Sequence, residues 1–207
     1  MNESYINYSL SIAKDGLYCN GSKEVDLQQE GLIEKLDSIY DSQIKDYPKY
    51  YRMDGMAKLV FILGDLICAR TKICDDIDGS DLAFVMLNAT GSFPSDSIHN
   101  NLIMDGFERA SPSNFVYTLP NVGMGEVCIK WKITGEGLFL IEDEFSANCI
   151  CEIADLFLSQ GKCKAIVIGW AEPTENEGNC IFLISNKGKG INLLNTEKNI
   201  LKIRKNE

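Results

Sequence analysis

The sequence has very little histidine and no closely spaced pair of the Cys-x-x-Cys type. His99 is the only histidine in 207 residues, and there are eight cysteines. A zinc site of the common Cys/His kind therefore lacks ligands at suitable spacing, so we predict no metal and no cofactor. The cysteines have no regular spacing and follow no export signal. We predict that most are small buried apolar side chains rather than parts of a disulfide framework.

Positive charge and long apolar runs are also scarce. The chain has 20 Lys and Arg against 30 Asp and Glu, which gives a formal net charge of −10 at pH 7. That charge repels nucleic acid phosphates and anionic lipid surfaces, so neither nucleic acid nor a membrane is an expected partner. No apolar stretch approaches the roughly 20 residues that span a bilayer, and the first twenty residues lack the apolar core of a secretory signal. We therefore expect a cytoplasmic protein.

The remaining composition is that of an ordinary globular protein, with 45% hydrophobic and 24% charged residues. The length suits one domain of generous size. We predict a single domain over residues 1–207, in which the polar segment 14–51 is an excursion from the central sheet.

Hydrophobic periodicity predicts strands that alternate with helices. The predicted strands are 5–13, 81–88, 137–141, 164–170 and 180–185, and the predicted helices are 28–40, 52–71, 95–106, 122–132 and 145–160. Such alternation favours a layered α/β domain. We expect a five-stranded, mostly parallel sheet in which the last strand is antiparallel.

Three stretches, by their order and spacing, resemble a known family. They are YPKYYRMDGMAKL at 47–59, SPSNFVYTLPNVGMGEVCIKWKITGEG at 111–137 and LFLIEDEFSANCICEIADLFLSQGKCKAIVIGWAE at 138–172. Together they resemble the N-terminal half of a β-ketoacyl synthase, a 3-oxoacyl-(acyl carrier protein) synthase of the thiolase-like superfamily. The resemblance implies one three-layer αβα half of the thiolase-like fold. It also implies a chain truncated before the half that carries the family's two catalytic histidines, neither of which His99 matches.

The resemblance further implies that the nucleophile has been replaced. Glu144 lies nine residues after Gly135, where that family has its nucleophilic cysteine, and Gly161 ends the following helix at the family's spacing. A thiolate at a helix N-terminus attacks thioesters, whereas a carboxylate is a poor nucleophile towards them. We expect Cys149 and Cys151 to lie more than one turn into the helix, too far to replace the missing thiol.

These features imply a non-catalytic subunit or scaffold, comparable to the chain-length factors of that family, in fatty-acid or polyketide-type biosynthesis. The partner would be a second copy or a full-length synthase. By analogy with related folds, the two chains would join through an apolar edge strand. The strand residues are Leu138, Phe139, Leu140 and Ile141.

Acyl carrier protein is a further expected partner. Carrier proteins are acidic, so binding to a chain of net negative charge requires a local basic patch. The residues that would form this patch are Lys45, Lys49, Arg52 and Lys58.

An enzymatic alternative stays open. Glu142, Asp143 and Glu144 bring three carboxylates into one turn, and two that share a pocket would raise the pKa of one of them. Glu144 could then act as the general base of an acyl thioester hydrolase or decarboxylase. A solvated cap on the following helix is the simpler interpretation.

Overall fold

A mixed sheet of eight strands forms the centre of the computed structural model, which describes residues 3–104, 115–174 and 178–205. The strands are β1 (Tyr5–Ala13), β2 (Gly16–Cys19), β3 (Ser22–Asp26), β4 (Leu82–Asn88), β5 (Gly137–Ile141), β6 (Ala165–Trp170), β7 (Asn179–Ser185) and β8 (Leu193–Leu194). The α-helices are α1 (Leu32–Gln43), α2 (Gly55–Thr71), α3 (Ile73–Asp76), α4 (Phe93–Met104), α5 (Val122–Trp131), α6 (Ala147–Ser159) and α7 (Glu197–Arg204). Short 3₁₀ turns lie at Pro48–Arg52 and Gly79–Asp81.

The strands lie in the order β3-β2-β1-β7-β6-β4-β5, and β8 also pairs with β1. Among the described residues, five of the seven pairings are antiparallel, and the two parallel ones join β4 to β5 and β6. The prediction of five mostly parallel strands was therefore wrong, although the α/β class is confirmed. β7 is antiparallel to β6, as predicted, but it lies inside the sheet, so it also makes an antiparallel pairing with β1.

The N-terminal hairpins account for most of the remaining difference. The predicted excursion at 14–51 begins with β2 and β3, which extend the sheet beyond β1. Asn20 and Gly21 connect these two strands with positive φ angles of 51° and 79°. Asn-Gly is the preferred sequence for a two-residue hairpin turn with this backbone conformation. The segment from 14 to 26 is thus part of the sheet.

One face of the sheet is covered by α2, which packs against α5. Asp54 caps α2 by accepting a hydrogen bond from the backbone N–H of Ala57 at 2.8 Å. At Gly64 an added Cβ would lie 2.8 Å from Val127 of α5, so a glycine is needed for the two helices to approach this closely. Phe84 and Met86 of β4 belong to the core on this side.

The opposite face is covered by α6 and α7. Ala83, Val85 and Leu87 of β4 point into this second core, together with Ile150 of α6 and Ile200 of α7. The alternation along β4 explains why that strand is buried throughout. Helices on both faces of the sheet make three layers. Within the described ranges, no helix is both long enough and apolar enough to cross a membrane.

Candidate functional site

The carboxyl ends of the parallel strands β4, β5 and β6 meet at one edge of the sheet. Ligands of open α/β sheets bind beyond this edge. Two backbone hydrogen bonds join the chain segments that leave the strands. The N–H of Glu142 donates to the carbonyl oxygen of Asn88, and the N–H of Ala171 donates to that of Leu87, both at 2.9 Å. The turn before α6 and the loops after β4 and β6 all begin at this edge.

The turn from β5 into α6 presents Glu144, the residue predicted at the nucleophile position. Helix α6 begins at Ala147, and Ser146 caps it by accepting a hydrogen bond from the N–H of Cys149 at 3.1 Å. Glu144 lies two residues before this cap and is exposed. A negative charge close to a helix N-terminus is favourable. The arrangement is therefore that of a solvated carboxylate beside the helix.

Cys149 lies closer to this turn than we expected. It is the third residue of α6 and therefore belongs to the first helical turn, because the helix begins two residues later than predicted. Its thiol Sγ lies 3.8 Å from Oε1 of Glu142. Burial and the negative charge of Glu142 raise the pKa of the Cys149 thiol. Cys151 is buried, which raises the pKa of its thiol to about 12. Both environments favour the unreactive thiol over the thiolate.

The sequence analysis missed Glu172, which follows β6 and is only 2% exposed. Its carboxylate accepts hydrogen bonds from the backbone N–H groups of Ala89 and Thr90, both at 3.1 Å, and from the Thr90 hydroxyl at 2.8 Å. The N–H and hydroxyl of Thr174 donate to it at 3.3 and 2.9 Å. Burial alone would raise the pKa of Glu172, but these hydrogen bonds outweigh it and lower that pKa. The ending Gly-Trp-Ala-Glu after a buried strand was the available signal.

Asn88, at the end of β4, holds the same loop after β4 and is fully buried. Its Oδ1 accepts from the N–H of Gly91 at 3.0 Å, and its Nδ2 donates to the carbonyl oxygen of Gly91 at 3.2 Å. Asn88 and Glu172 together fix the loops that follow β4 and β6. We name this cluster of Asn88, Thr90, Glu172 and Thr174 the carboxylate network.

An aromatic pair and an arginine border the start of α6 on the side of α7. The rings of Phe145 and Trp170 meet edge to face, with centroids 5.8 Å apart. The guanidinium of Arg204 lies 4.0 Å from the centroid of Phe145, and its Nε donates to the carbonyl oxygen of Gly178 at 3.0 Å. Phe145 thus contacts both Trp170 and Arg204 just before α6 begins.

The strand predicted to join two subunits lies at the end of the sheet. Within the part of the chain that the structure describes, β5 pairs with β4 alone. Ile141 is 63% exposed and Leu138 is 36% exposed, whereas Phe139 and Leu140 pack against the two cores. The second backbone edge of β5 therefore lies beside an apolar surface.

The predicted basic patch contains two cations that already have acidic neighbours. Nζ of Lys49 lies 3.2 Å from Oε2 of Glu126. Nζ of Lys58 lies 2.7 Å from Oδ1 of Asp37, and the Lys58 side chain is only 12% exposed. The other two members of the patch, Lys45 and Arg52, are exposed.

His99 lies on α4, with its ring 5.9 Å from that of Phe115. Among the residues that the structure describes, no group of three or more His, Cys, Asp or Glu side chains could hold a metal ion. The second of the three stretches that carry the family resemblance lies partly outside the described residues, at 111–114.

No protein-family model and no curated protein sequence matches the chain. Solved structures do match in fold. A structure of a ketosynthase in complex with its chain length factor from Xenorhabdus doucetiae matches with a TM-score of 0.57 and 13% identity, covering 88% of this chain and 79% of that one. The ishigamide ketosynthase/chain length factor matches with a TM-score of 0.60 and 12% identity, covering 88% and 62%.

A third match is a type II polyketide synthase acyl-carrier protein in complex with its ketosynthase bound to the hexaketide. Its TM-score is 0.57 at 8% identity, and the match covers 89% of this chain and 62% of that one. The chain thus spans less than two thirds of the length of two of these three similar structures. At such low identities the likeness shows the fold, which is the thiolase-like fold of ketosynthases and chain length factors.

Proposed function

We propose that this chain is a ketosynthase-like subunit that does not catalyse condensation and that pairs with a ketosynthase in polyketide-type or fatty-acid biosynthesis. One observation carries the proposal. The turn that enters α6 has the exposed carboxylate of Glu144 where an acyl-accepting thiol would be needed. The nearest described thiol in the first turn of α6, Cys149, is held in its protonated form by burial and by Glu142.

The chemistry of acyl transfer supports the absence of condensation. A synthase must form a thioester with its substrate, which requires a thiolate stabilised by the helix N-terminus and by neighbouring positive charge. At Cys149 the nearby charge has the opposite sign. An acyl group transferred to Glu144 would form an anhydride, which water hydrolyses readily, so Glu144 could not hold the acyl chain for a second substrate.

Two observations support a protein partner. The first is the apolar edge at β5, since proteins commonly cover or charge such an edge to prevent unwanted association. The second is that the similar solved structures include a ketosynthase in complex with its chain length factor. A partner strand added to β5 would continue the sheet into the second subunit.

The hydrolase alternative receives less support. A carboxylate acts as a general base most effectively in a pocket that removes it from water, whereas Glu144 is exposed. The carboxylate that is buried, Glu172, already accepts five hydrogen bonds from the surrounding chain and has no proton-accepting position left for a substrate.

Co-expression with a ketosynthase of the same genome tests the proposal. Size-exclusion chromatography with light scattering should give the mass of one subunit of each kind. Ile141→Glu should weaken this complex at least about tenfold, because it places a charge in the apolar edge. The matched control is Leu156→Glu, an equally apolar exposed position on α6, and it should leave the complex intact. Monomers only, with and without the ketosynthase, would remove the basis of the proposed pairing.

A further inference from the structure

The outer edge of β5 offers backbone hydrogen bonds at every second residue. The carbonyl oxygen of Glu136 accepts from the N–H of Phe84, and the N–H of Glu142 donates to the carbonyl oxygen of Asn88, both at 2.9 Å. The even-numbered residues of this stretch therefore direct their backbone groups towards β4, and the odd-numbered ones direct theirs outwards. Within the described residues no strand covers that outer edge. The residues with outward backbone groups are Gly137, Phe139 and Ile141.

Acidic residues flank this edge at both ends. Glu136 directly precedes the strand, the acidic run 142–144 directly follows it, and residues 133–161 contain no Lys or Arg. The wider region 81–161 has 3 Lys and Arg against 11 Asp and Glu, so it accounts for −8 of the formal net charge of −10. One of its cations, Lys130 on α5, is already held at 2.7 Å by two aspartates. The negative charge of the chain is thus concentrated in the part that contains the free edge.

A second copy of the chain is poorly suited to this edge. A closed dimer has two-fold symmetry, so two β5 strands that joined their sheets would run antiparallel. With the axis at Phe139, Glu136 of each copy would lie directly opposite Glu142 of the other. Such a pair is of the closely spaced kind, because its backbone groups face β4, and like charges directly opposite each other are destabilising. Moving the axis by one residue would set Glu136 opposite Glu144 or Leu140, so none of these registers gives it a positive neighbour.

We infer that the outer edge of β5 binds an apolar strand flanked by Lys or Arg on a different protein and disfavours a second copy of this chain. The inference rests on the proposed pairing with a ketosynthase and states what that subunit must present. The outward backbone groups supply hydrogen bonds, the exposed side chains of Leu138 and Ile141 supply apolar contacts, and the acidic flanks select the sign of the charge. Complementary charges favour the correct partner, and like charges suppress the wrong one. Because both ends of β5 are acidic, the partner strand needs basic residues at both of its ends, whichever way it runs.

Glu136→Lys tests this inference on the full chain without any other protein. In a two-fold pair it places a lysine opposite Glu142 at both ends of the joined strands, so sedimentation equilibrium should show self-association at least about tenfold stronger than that of the wild type. Glu152→Lys makes the same change of charge at an exposed position on α6 and should leave self-association as in the wild type. The double variant Glu136→Lys with Glu142→Lys restores like charges and should lose the gain. Equal self-association of Glu136→Lys and Glu152→Lys would overturn the inference, as would a stable wild-type dimer that Ile141→Glu dissociates.

A ketosynthase of the same genome separates this inference from the proposed pairing. Their complex should weaken as salt is added, and Glu136→Lys should weaken it severalfold at low salt, whereas Glu152→Lys should not. A complex that is insensitive both to salt and to Glu136→Lys would overturn the selection by charge and leave the pairing intact. Self-association of Glu136→Lys without any complex between the wild type and the ketosynthase would support the selectivity of the edge and remove the ketosynthase as its partner.

Discussion

Carboxylates in two loop regions at the same edge of the sheet differ in burial and in hydrogen bonding. In the carboxylate network, Glu172 is buried and saturated with hydrogen bonds from the loops after β4 and β6. In the turn before α6, Glu142 and Glu144 are half-buried and exposed, and the Cys149 thiol contacts Glu142. The first region positions loops, and the second is the turn in which we propose that a nucleophile has been replaced. A buried, fully hydrogen-bonded carboxylate and an exposed one therefore lie in neighbouring loops at one edge of the sheet.

The largest expected effect comes from removing the buried carboxylate of Glu172. Glu172→Ala leaves the N–H groups of Ala89, Thr90 and Thr174 without acceptors, so the free energy of unfolding should fall by about 3 kcal/mol or more. Chemical denaturation followed by circular dichroism measures this change. Glu144→Ala is the control and should leave the denaturation midpoint unchanged. Equal effects of the two substitutions would remove the distinction between the regions.

The pH dependence of the free energy of unfolding should also distinguish the buried carboxylate of Glu172 from the exposed one of Glu144. The pKa of Glu172 is lowered in the folded chain from an ordinary value of 4.5. As the pH falls below that ordinary value, the unfolded carboxyl takes up a proton before the folded one does, which favours unfolding. The stability advantage of the wild type over Glu172→Gln should therefore be complete above that pH and should shrink below it. An advantage that grows on acidification would show that the carboxylate is not stabilised by its neighbours.

A smaller effect is expected on the Cys149 thiol. Glu142→Gln removes the neighbouring charge and should lower the pKa of Cys149, so its alkylation by iodoacetamide near neutral pH should accelerate severalfold, on the order of threefold per pKa unit. The control is Glu152→Gln, whose charge acts on the same thiol more weakly. Peptide mass spectrometry gives both rates. Slower alkylation after Glu142→Gln would mean that the carboxylate activates the thiol.

The smallest expected effect concerns the basic patch. If acyl carrier protein binds at the exposed Lys45 and Arg52, reversing both charges should weaken its binding severalfold at low salt, and the difference should shrink as salt is added. Reversing Lys198 and Lys202 on α7 changes the net charge equally and serves as the control. Equal losses in the two double variants would indicate a general effect of net charge rather than a patch.

The features predicted well from the sequence are those set by local periodicity. β4 and β6 are short apolar runs, and α6 has a clear apolar face, so their positions were close to those observed. The interior position of β7 could not be predicted, because the order of strands in a sheet depends on contacts between distant segments. β3 was missed because its sequence, SKEVD, is polar and mostly exposed, although the Asn20-Gly21 turn was a usable signal.

At the candidate site, a small error in a helix boundary changes the reason why Cys149 is expected to be unreactive. Periodicity alone allowed α6 to begin at Phe145, but the cap formed by Ser146 starts it two residues later. This difference brings Cys149 into the first turn and beside Glu142. The position of Glu172 after a buried strand was a usable signal, but its network could not be predicted, because three of the five donors belong to Ala89 and Thr90, far from Glu172 in the chain.

The most direct test of the central claim is the covalent acylation of the chain. The purified protein is incubated with acyl and malonyl thioesters, and its intact mass is measured with and without hydroxylamine, which cleaves thioesters and anhydrides. We predict an unchanged mass for the wild type, because the raised pKa of the Cys149 thiol disfavours its attack on a thioester and an anhydride on Glu144 would hydrolyse. A stable adduct that maps to either residue and is lost in Glu144→Gln or Cys149→Ser would contradict the proposal of a non-catalytic subunit.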